Sequence, residues 1–332
     1  MKKPAPTIRD VAAAAQVSTA TVSKYLNGAQ RFSSKVEAAI DAAVGRLGYK
    51  SNPLAKSMIT GRTDTIALCL PDIANPHFTC ILQGAAAVAA ERGYSVLLVD
   101  GSHGPERERR TLETLSRRVD GMIVCSRLDE ADMPWMADIG KPVVFLGTLA
   151  ELPLPTVAAD DHAGGDMLAR HLQMLGHRRI AYLGCPASRR DAQRLGGIRA
   201  CLEAAGLELV VFDAGSPTLA EGERLCSGLV LGSRRLDAVI CYNDLLALGF
   251  MKEVANLGLS IPRDLSVAGF DNIPYGKYVT PALTTVDLQS RHMGAAAMDK
   301  LLALVRGEPV ERCTRIAPRL VLRGSTRNQQ LR

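Results

Sequence analysis

Residues 7–28, TIRDVAAAAQVSTATVSKYLNG, predict two short helices joined by a three-residue turn. Thr7 and Asp10 match the capping box that begins a helix. Ser18 follows a break in the helical spacing and is a suitable N-cap for the second helix. That helix, Thr19 to Leu26, is short and rich in serine and threonine, which suits the recognition helix of a helix-turn-helix.

A third helix is predicted from Ser33–Ser34 to Leu47, with Gly48 at its end. Positive charge is concentrated in the same region, since residues 1–62 hold ten lysines and arginines against three acids. The other 270 residues hold 30 basic and 31 acidic side chains, so the net charge of +6 originates in the N-terminal segment. Such asymmetry is typical of a polyanion-binding module, and a plain three-helix bundle with a solvated basic surface is the alternative.

Short runs of valine, isoleucine and leucine alternate with helical segments from residue 63 onward. This alternation predicts parallel sheets that helices cover on both faces. About 270 residues are too many for one such sheet, so two doubly wound lobes are expected. Polar residues at the strand ends should then meet at the carboxyl edges of the sheets, where ligands bind. The expected strands are 65–70, 95–100, 121–126, 143–147, 179–184, 209–213, 238–242 and 265–270.

The N-terminal stretch and LGYKSNPLAKSM at residues 47–58 resemble the LacI/GalR (lactose-repressor) family of bacterial transcriptional regulators, and the resemblance covers the whole chain. It implies an all-α helix-turn-helix head over 1–50, a hinge helix or linker over 51–62, and an effector-binding and dimerisation core over 63–332. The core is expected to have a periplasmic-binding-protein-like fold of two parallel-sheet lobes. The implied N-lobe spans about 63–160 and 288–316, and the implied C-lobe spans about 161–287 and 317–332.

The second helix presents small donors and one cation, which suits entry into a major groove. The resemblance implies further contacts to phosphates and, from a hinge helix, to the minor groove. Met58 stands where the family usually has leucine, and an apolar side chain there can wedge between base pairs. An isolated helix this short is marginal in water, so an ordinary flexible linker is the alternative. The expected DNA contacts are Thr7, Ser18, Thr19, Ala20, Thr21, Ser23, Lys24, Asn27, Arg31, Ser33, Asn52, Ala55 and Met58.

Strand ends and the loops after them carry carboxylates and arginines. This combination suits a polyhydroxylated ligand, because aspartate accepts from hydroxyls and arginine donates in a fixed fork. Arg194 and Asp271 match effector-binding positions of the family, and the additional arginines suggest a sugar acid or phosphate. Asn243 is also a suitable helix cap, and structural hydrogen bonds are the alternative at His77 and Ser126. The expected effector contacts are His77, Phe78, Ser126, Asp160, Arg190, Arg194, Asn243 and Asp271, with Arg189 as the alternative to Arg190.

These features predict a sequence-specific DNA-binding repressor whose operator affinity is controlled by a small sugar or sugar acid between the lobes. The partner is expected to be near-palindromic double-stranded DNA. Residues 320–332 lack the leucine heptads of a tetramerising helix, so a homodimer is expected. Motifs of phosphate-binding, hydrolytic and zinc enzymes are missing, so neither an enzyme nor a cofactor or metal is expected. A sugar-binding or transport protein without DNA function is the alternative, and a sugar-handling enzyme is the third reading.

The sequence also predicts a compartment. It has no apolar run of about 18 residues and no apolar core after its basic N-terminus, so neither a membrane span nor a secretory signal is expected. Eight cysteines at scattered spacings are typical of free thiols in a reducing compartment. The prediction is therefore a cytoplasmic protein without membrane contact.

Overall fold

The computed structural model describes residues 6–26, 28, 30–49, 61–101, 105–232 and 235–327. The chain divides into two compact units, Met1–Thr63 and Asp64–Arg332. Residues 51–60 of the expected hinge lie outside the described residues, so the hinge helix stays a prediction. No described helix is both long and apolar enough to cross a membrane.

Within its described residues, the N-terminal unit contains α1 (Ile8–Ala15), α2 (Thr19–Leu26) and α3 (Ser34–Leu47). The Asp10 carboxylate accepts hydrogen bonds from the backbone N–H and the hydroxyl of Thr7, at 2.7 and 2.8 Å. These bonds satisfy a donor that the first turn of a helix leaves unpaired, so α1 begins where the sequence predicts.

One small apolar core holds the three helices together. Val11, Val22 and Ile40 come from different helices, and each is fully buried. The Ser18 hydroxyl accepts from the Thr21 backbone N–H at 3.0 Å and so caps α2 after the turn. This arrangement confirms the predicted helix-turn-helix with a third supporting helix.

The first sheet of the larger unit consists of β1 (Thr65–Leu70), β2 (Ser95–Asp100), β3 (Gly121–Val124), β4 (Val143–Leu146), β5 (Thr156–Ala159) and β11 (Cys313–Ile316). Its order is β11-β5-β4-β3-β1-β2, and every neighbouring pair is parallel. Ile66 and Leu68 of β1 pack into one apolar cluster, whereas Ala67 and Cys69 pack into another. Successive side chains of a strand point to opposite faces, so both faces of this sheet are covered, as the continuous apolar runs predict.

The second sheet consists of β6 (Ile180–Gly184), β7 (Leu209–Asp213), β8 (Ala238–Cys241), β9 (Ser266–Phe270), β10 (Thr284–Asp287) and β12 (Arg319–Val321). Its order is β12-β10-β9-β8-β6-β7, and β12 pairs antiparallel with β10. The other four neighbouring pairs are parallel, so the predicted parallel sheet is confirmed and carries one antiparallel strand at its edge. The link from β11 to β12 spans only Ala317 and Pro318. The chain therefore passes directly from the end of β11 into the second sheet, where β12 runs opposite to β10.

The chain passes between the two sheets after β5, β10 and β11. After β5 it enters α6 (Asp161–Met174), which packs on β10 and β12 of the second sheet. After β10 it enters α10 (Ser290–Val305), which packs on β3, β4 and β5 of the first sheet. Each sheet with its helices forms one lobe, called here the first and the second lobe, and both contain distant parts of the chain.

Three pairs of helices pack so closely that a glycine of each helix faces the backbone of the other. The pairs are α4 (Pro76–Glu91) with α10, α6 with α7 (Asp191–Ala204), and α8 (Leu219–Val230) with α9 (Asp244–Asn256). Each helix contributes a glycine at the crossing, and the pairs are Gly84 and Gly294, Gly165 and Gly197, and Gly222 and Gly249. A Cβ atom at Gly165 would lie 2.2 Å from the carbonyl oxygen of Arg194. The helices are therefore closer than any side chain permits. A further helix, α5 (Pro105–Ser116), packs Leu112 against the first sheet.

Candidate functional site

The outer face of α2 is open to solvent in the N-terminal unit. Thr19, Ala20 and Lys24 on it are exposed. The Tyr25 hydroxyl donates to the Asp41 carboxylate of α3 at 2.9 Å, which fastens α2 to the rest of the unit. A rigidly held helix with small exposed side chains and a cation can enter a major groove.

The other expected DNA contacts surround α2 or lie outside the described residues. The Ser18 and Thr21 hydroxyls are 2.8 Å apart, and Thr21 and Ser23 are half-buried. The Arg31 side chain is 93% exposed, although its guanidinium lies 3.6 Å from the Glu37 carboxylate. Thr7, Ser18 and Ser33 are exposed. The predicted contacts at Asn27, Asn52, Ala55 and Met58 fall outside the described residues.

A cavity of about 350 Å³ lies between the two lobes of the larger unit. Loops that follow strands of both sheets line it, which is where parallel sheets place ligands. Seven of the eight expected effector contacts are among the lining residues: His77, Phe78, Ser126, Arg190, Arg194, Asn243 and Asp271. Asp160 is the expected contact that does not line the cavity.

Asp160 caps a helix instead. Its carboxylate accepts from the Ala163 backbone N–H at 2.9 Å and lies 3.7 Å from the Arg315 guanidinium. The next residue, Asp161, is only 4% exposed, lines the cavity and accepts from Arg194 Nε at 2.8 Å. The structure therefore places Asp161, rather than Asp160, in the cavity.

Arg194 is the centre of a buried ionic cluster. Its Nε donates to Asp161, its Nη1 donates to the Tyr242 carbonyl oxygen, and its Nη2 lies 3.5 Å from the Asp271 carboxylate. The guanidinium carbon lies 4.6 Å from the ring centroids of both Tyr242 and Phe270, so the cation contacts two aromatic rings. The cluster holds two carboxylates in fixed positions at the cavity wall, where they can accept hydroxyl hydrogens.

Asp271 combines an unusual backbone with an unusual ionisation. It has φ +103°, a conformation that residues other than glycine rarely adopt. Burial raises the pKa of its carboxyl to about 6, although Arg194 and Arg190 act to lower it. Strained backbone is concentrated at ligand sites, and this residue lies at the end of β9 in the cavity.

His77 of α4 joins the two lobes. Its ring packs edge-on against Phe78 with centroids 4.9 Å apart, its Nδ1 lies 2.8 Å from the Ser290 hydroxyl, and its Nε2 lies 3.0 Å from Arg190 Nη1. Burial, with the charges of Arg190 and Arg194, lowers the pKa of His77 well below its ordinary value. The imidazole is therefore neutral at neutral pH. Its Nε2 accepts from Arg190, so its proton lies on Nδ1 and is donated to Ser290.

Arg189 forms a second bridge between the lobes, from the loop after β6 to loops of the first lobe. Its guanidinium donates to the carbonyl oxygens of Leu128 and Thr148, at 3.2 and 3.0 Å, and to the Glu130 carboxylate at 3.3 Å. Glu130 also accepts from three backbone N–H groups of residues 150–152. Sequence reasoning kept Arg189 only as an alternative to Arg190, and it missed these partners because they lie far away along the chain.

Structural hydrogen bonds account for part of the predicted set. The Asn243 side chain caps α9 by accepting from the Leu246 N–H at 2.9 Å, and it donates to the Pro217 carbonyl oxygen at 3.2 Å. The Ser126 hydroxyl accepts from the Leu128 N–H at 3.0 Å. Both residues line the cavity, so they combine a structural bond with access to a ligand. No group of three or more histidine, cysteine, aspartate or glutamate side chains among the described residues could hold a metal ion.

Known proteins match the chain over nearly its full length. The family described as "Bacterial regulatory proteins, lacI family" matches residues 7–52, and the family described as "Periplasmic binding protein-like domain" matches residues 169–326. The HTH-type transcriptional regulator GalR of Escherichia coli (strain K12) is 33% identical over 98% of this chain and 97% of its own length. This chain belongs to the LacI family of bacterial regulatory proteins.

Solved structures share the architecture of this LacI-family protein. A lac repressor dimer bound to operator and the anti-inducer ONPF has a TM-score of 0.90 and 27% identity, and the match covers 98% of this chain and all of that one (100%). A LacI-family regulator from Enterococcus faecium with bound ribose has a TM-score of 0.72 and 26% identity over 80% of this chain and 99% of its own. The predicted helical head and two α/β lobes are thereby confirmed. These relatives are regulators, in agreement with the prediction that the LacI-family chain is not an enzyme.

Proposed function

We propose that this protein is a sequence-specific DNA-binding transcriptional repressor whose operator affinity is controlled by a small sugar-like effector. The observation that carries the proposal is the exposed α2 face with Thr19, Ala20 and Lys24, on the same chain as a cavity lined by carboxylates and arginines. The operator bound to the lac repressor dimer and the ribose bound to the Enterococcus faecium regulator support it.

In the proposed mechanism, a homodimer places two copies of α2 in the major groove of a near-palindromic operator. Thr19, Ala20 and Lys24 face base edges, whereas Ser18 and Arg31 bind phosphates, which fix position rather than sequence. We also propose a cytoplasmic location, since that compartment holds the bacterial operator DNA.

We propose a DNA-binding head at residues 1–50, a hinge at 51–62 and a core at 63–332. The sheet membership of β5, β10, β11 and β12 supports an N-lobe of about 63–160 and 288–316 and a C-lobe of about 161–287 and 317–332. An effector that contacts both lobes stabilises one arrangement of them, and the hinge transmits that arrangement to the heads. Effector and operator then change each other's affinity by the same factor, which corresponds to a coupling free energy of typically about 1–3 kcal/mol.

The proposal is tested by selecting sequences from a random duplex library with the full-length protein and then measuring binding to the selected and to a scrambled duplex. Lys24→Ala is expected to reduce the preference for the selected duplex about tenfold or more, because one base-reading side chain contributes about 1–3 kcal/mol. Lys252→Ala removes the same charge from the exposed surface of α9 and should leave the preference unchanged.

If the library yields no preferred sequence, or if Lys24→Ala keeps the wild-type preference, the proposed function or its reading helix is wrong. An empty selection combined with sugar binding would favour a sugar-binding protein without DNA function.

A further inference from the structure

Four arginines line the cavity: Arg127, which is exposed, and Arg189, Arg190 and Arg194, which are not. The charges of the last three are compensated differently. Arg189 contacts Glu130, and Arg194 contacts Asp161 and Asp271. Arg190 has no carboxylate oxygen of a described residue within 4.0 Å of its guanidinium. Among these three arginines, it is the one whose direct partner carries no charge.

The contact of Arg190 with His77 leaves a donor available. Arg190 Nη1 donates to Nε2 of the neutral imidazole at 3.0 Å. Arg190 Nη2 is buried and has no hydrogen-bond partner among the described residues. A buried donor without an acceptor is costly, so this atom marks a position where a ligand oxygen is expected.

The imidazole lies between Arg190 and one carboxylate of the cluster, that of Asp271. Its Nε2 faces Arg190, whereas its Nδ1 lies 3.7 Å from the Asp271 carboxylate on the other side of the ring. The cavity wall thus presents the carboxylates of Asp161 and Asp271 and, beside them, an unpaired guanidinium nitrogen of Arg190. A ligand that matches these groups has hydroxyls for the carboxylates and an anionic oxygen group for Arg190.

We propose that the effector is a polyhydroxylated anion and that Arg190 binds its carboxylate or phosphate in the cavity between the lobes. This inference deepens the proposed function and rests on it. It assigns Arg190 as the residue that distinguishes an acid from the neutral sugar of the same carbon skeleton. Arg194 lacks this role because its charge is already compensated by Asp161 and Asp271.

The test is calorimetric titration of the full-length protein with matched ligands that differ in one group. The probes are D-gluconate against D-glucose, D-galactonate against D-galactose, D-ribonate against D-ribose, and the terminal phosphates of the same three sugars. At least one acid or phosphate is expected to bind about tenfold or more tightly than its neutral partner, as a buried charge-assisted bond implies. The acid arm and the phosphate arm identify the source of the anionic group.

Three variants separate Arg190 from the general charge of the cavity. Arg190→Gln should reduce the preference for the anion to below about threefold, whereas Arg190→Lys, which keeps the charge, should retain part of it. Arg189→Gln removes the same charge from the neighbouring residue, whose carboxylate partner is Glu130. This variant should weaken binding of the anion and of its neutral partner alike, so the ratio of their affinities should stay unchanged. The melting temperature of each variant verifies that it is folded under the conditions of the titration.

The inference is overturned if no anion in the panel binds at least tenfold more tightly than its neutral partner. A panel in which nothing binds has the same consequence. It is also overturned if Arg190→Gln keeps the wild-type ratio or if Arg189→Gln abolishes it equally. Selection of operator sequences needs no effector, so the proposed DNA-binding function stands or falls in a separate measurement.

Discussion

At the scale of single residues, Asp271 is expected to make the stability of the protein depend on pH. Burial raises the pKa of its carboxyl from 3.8 to about 6. Between these values the folded protein binds more protons than the unfolded chain, so the contribution of Asp271 to the free energy of unfolding falls as the pH rises through this range. The full loss amounts to about 3 kcal/mol, at about 1.36 kcal/mol for each unit of pKa.

Asp271→Asn should remove this loss, and asparagine is suitable because it tolerates positive φ. Urea unfolding of the full-length wild type and variant at several pH values between 4 and 7 measures the difference between their stability profiles. Burial and the charge of Asp271 both raise the pKa of Asp244, so that pKa should be lower in the variant. This effect also makes the variant lose less stability as the pH rises, so it adds to the expected difference. Parallel profiles would contradict the assignment to Asp271.

The residues of the cavity differ in how far the sequence alone predicts them. Asp271 could be predicted because it directly follows the apolar strand β9 and matches a family position, whereas Arg194, within α7, could be predicted from its family position alone. The choice between Asp160 and Asp161 could not be made, because neighbouring side chains diverge and the helix start decides which one caps. The partners of Arg189 depend on contacts across the two lobes, which leave no local pattern.

At the scale of helices and strands, the glycine pairs position the ionic cluster. Gly165 of α6 faces the backbone of Arg194 in α7, and a Cβ atom there would lie 2.2 Å from the Arg194 carbonyl oxygen. Gly165→Ala is expected to destabilise the protein by about 1–3 kcal/mol or more, because the two helices must separate. Separation moves Arg194 away from Asp161, so effector binding should weaken as well.

A matched substitution is available in the partner helix. A Cβ atom at Gly196 of α7 would meet only the His162 ring, at 3.5 Å, which is an ordinary contact. Gly196→Ala should leave stability unchanged or raise it by up to about 1 kcal/mol, since alanine is the better helix former. Urea midpoints of the two variants measure the difference. Equal effects would mean that the close approach does not limit the packing of α6 against α7.

Strands were predictable where they are apolar and flanked by turns or helices. The limits of β1, β2 and β7 agree with the sequence prediction. In contrast, β5, β10 and β11 were not among the eight expected strands. Each has only four residues and lies where the chain changes lobe, and β11 pairs with β5 far away along the chain. Such strands depend on long-range pairing, so neither periodicity nor length identifies them.

At the scale of the whole core, the bridge from Arg189 to Glu130 ties one lobe to the other. The two side chains are only 24% and 19% exposed, and Arg189 also bonds two carbonyl oxygens of the first lobe. Their mutual contribution to stability should therefore exceed that of a solvated ion pair. A double-mutant cycle with Arg189→Ala and Glu130→Gln is expected to give a coupling free energy of about 1 kcal/mol.

The comparison pair is Arg109 and Glu113 on α5, which are 55% and 47% exposed and lie four residues apart on one helix. Such pairs contribute about 0.3–0.5 kcal/mol, and that value is expected from the same cycle with Arg109→Ala and Glu113→Gln. Arg189 bridges the lobes, and in our proposal Arg190 rather than Arg189 binds the anionic group, so loss of Arg189 should also lower the affinity for anionic and neutral sugars by the same factor. A coupling energy for Arg189 and Glu130 no larger than that of the α5 pair would mean that this ion pair stabilises the contact between the lobes no more than a solvated pair does.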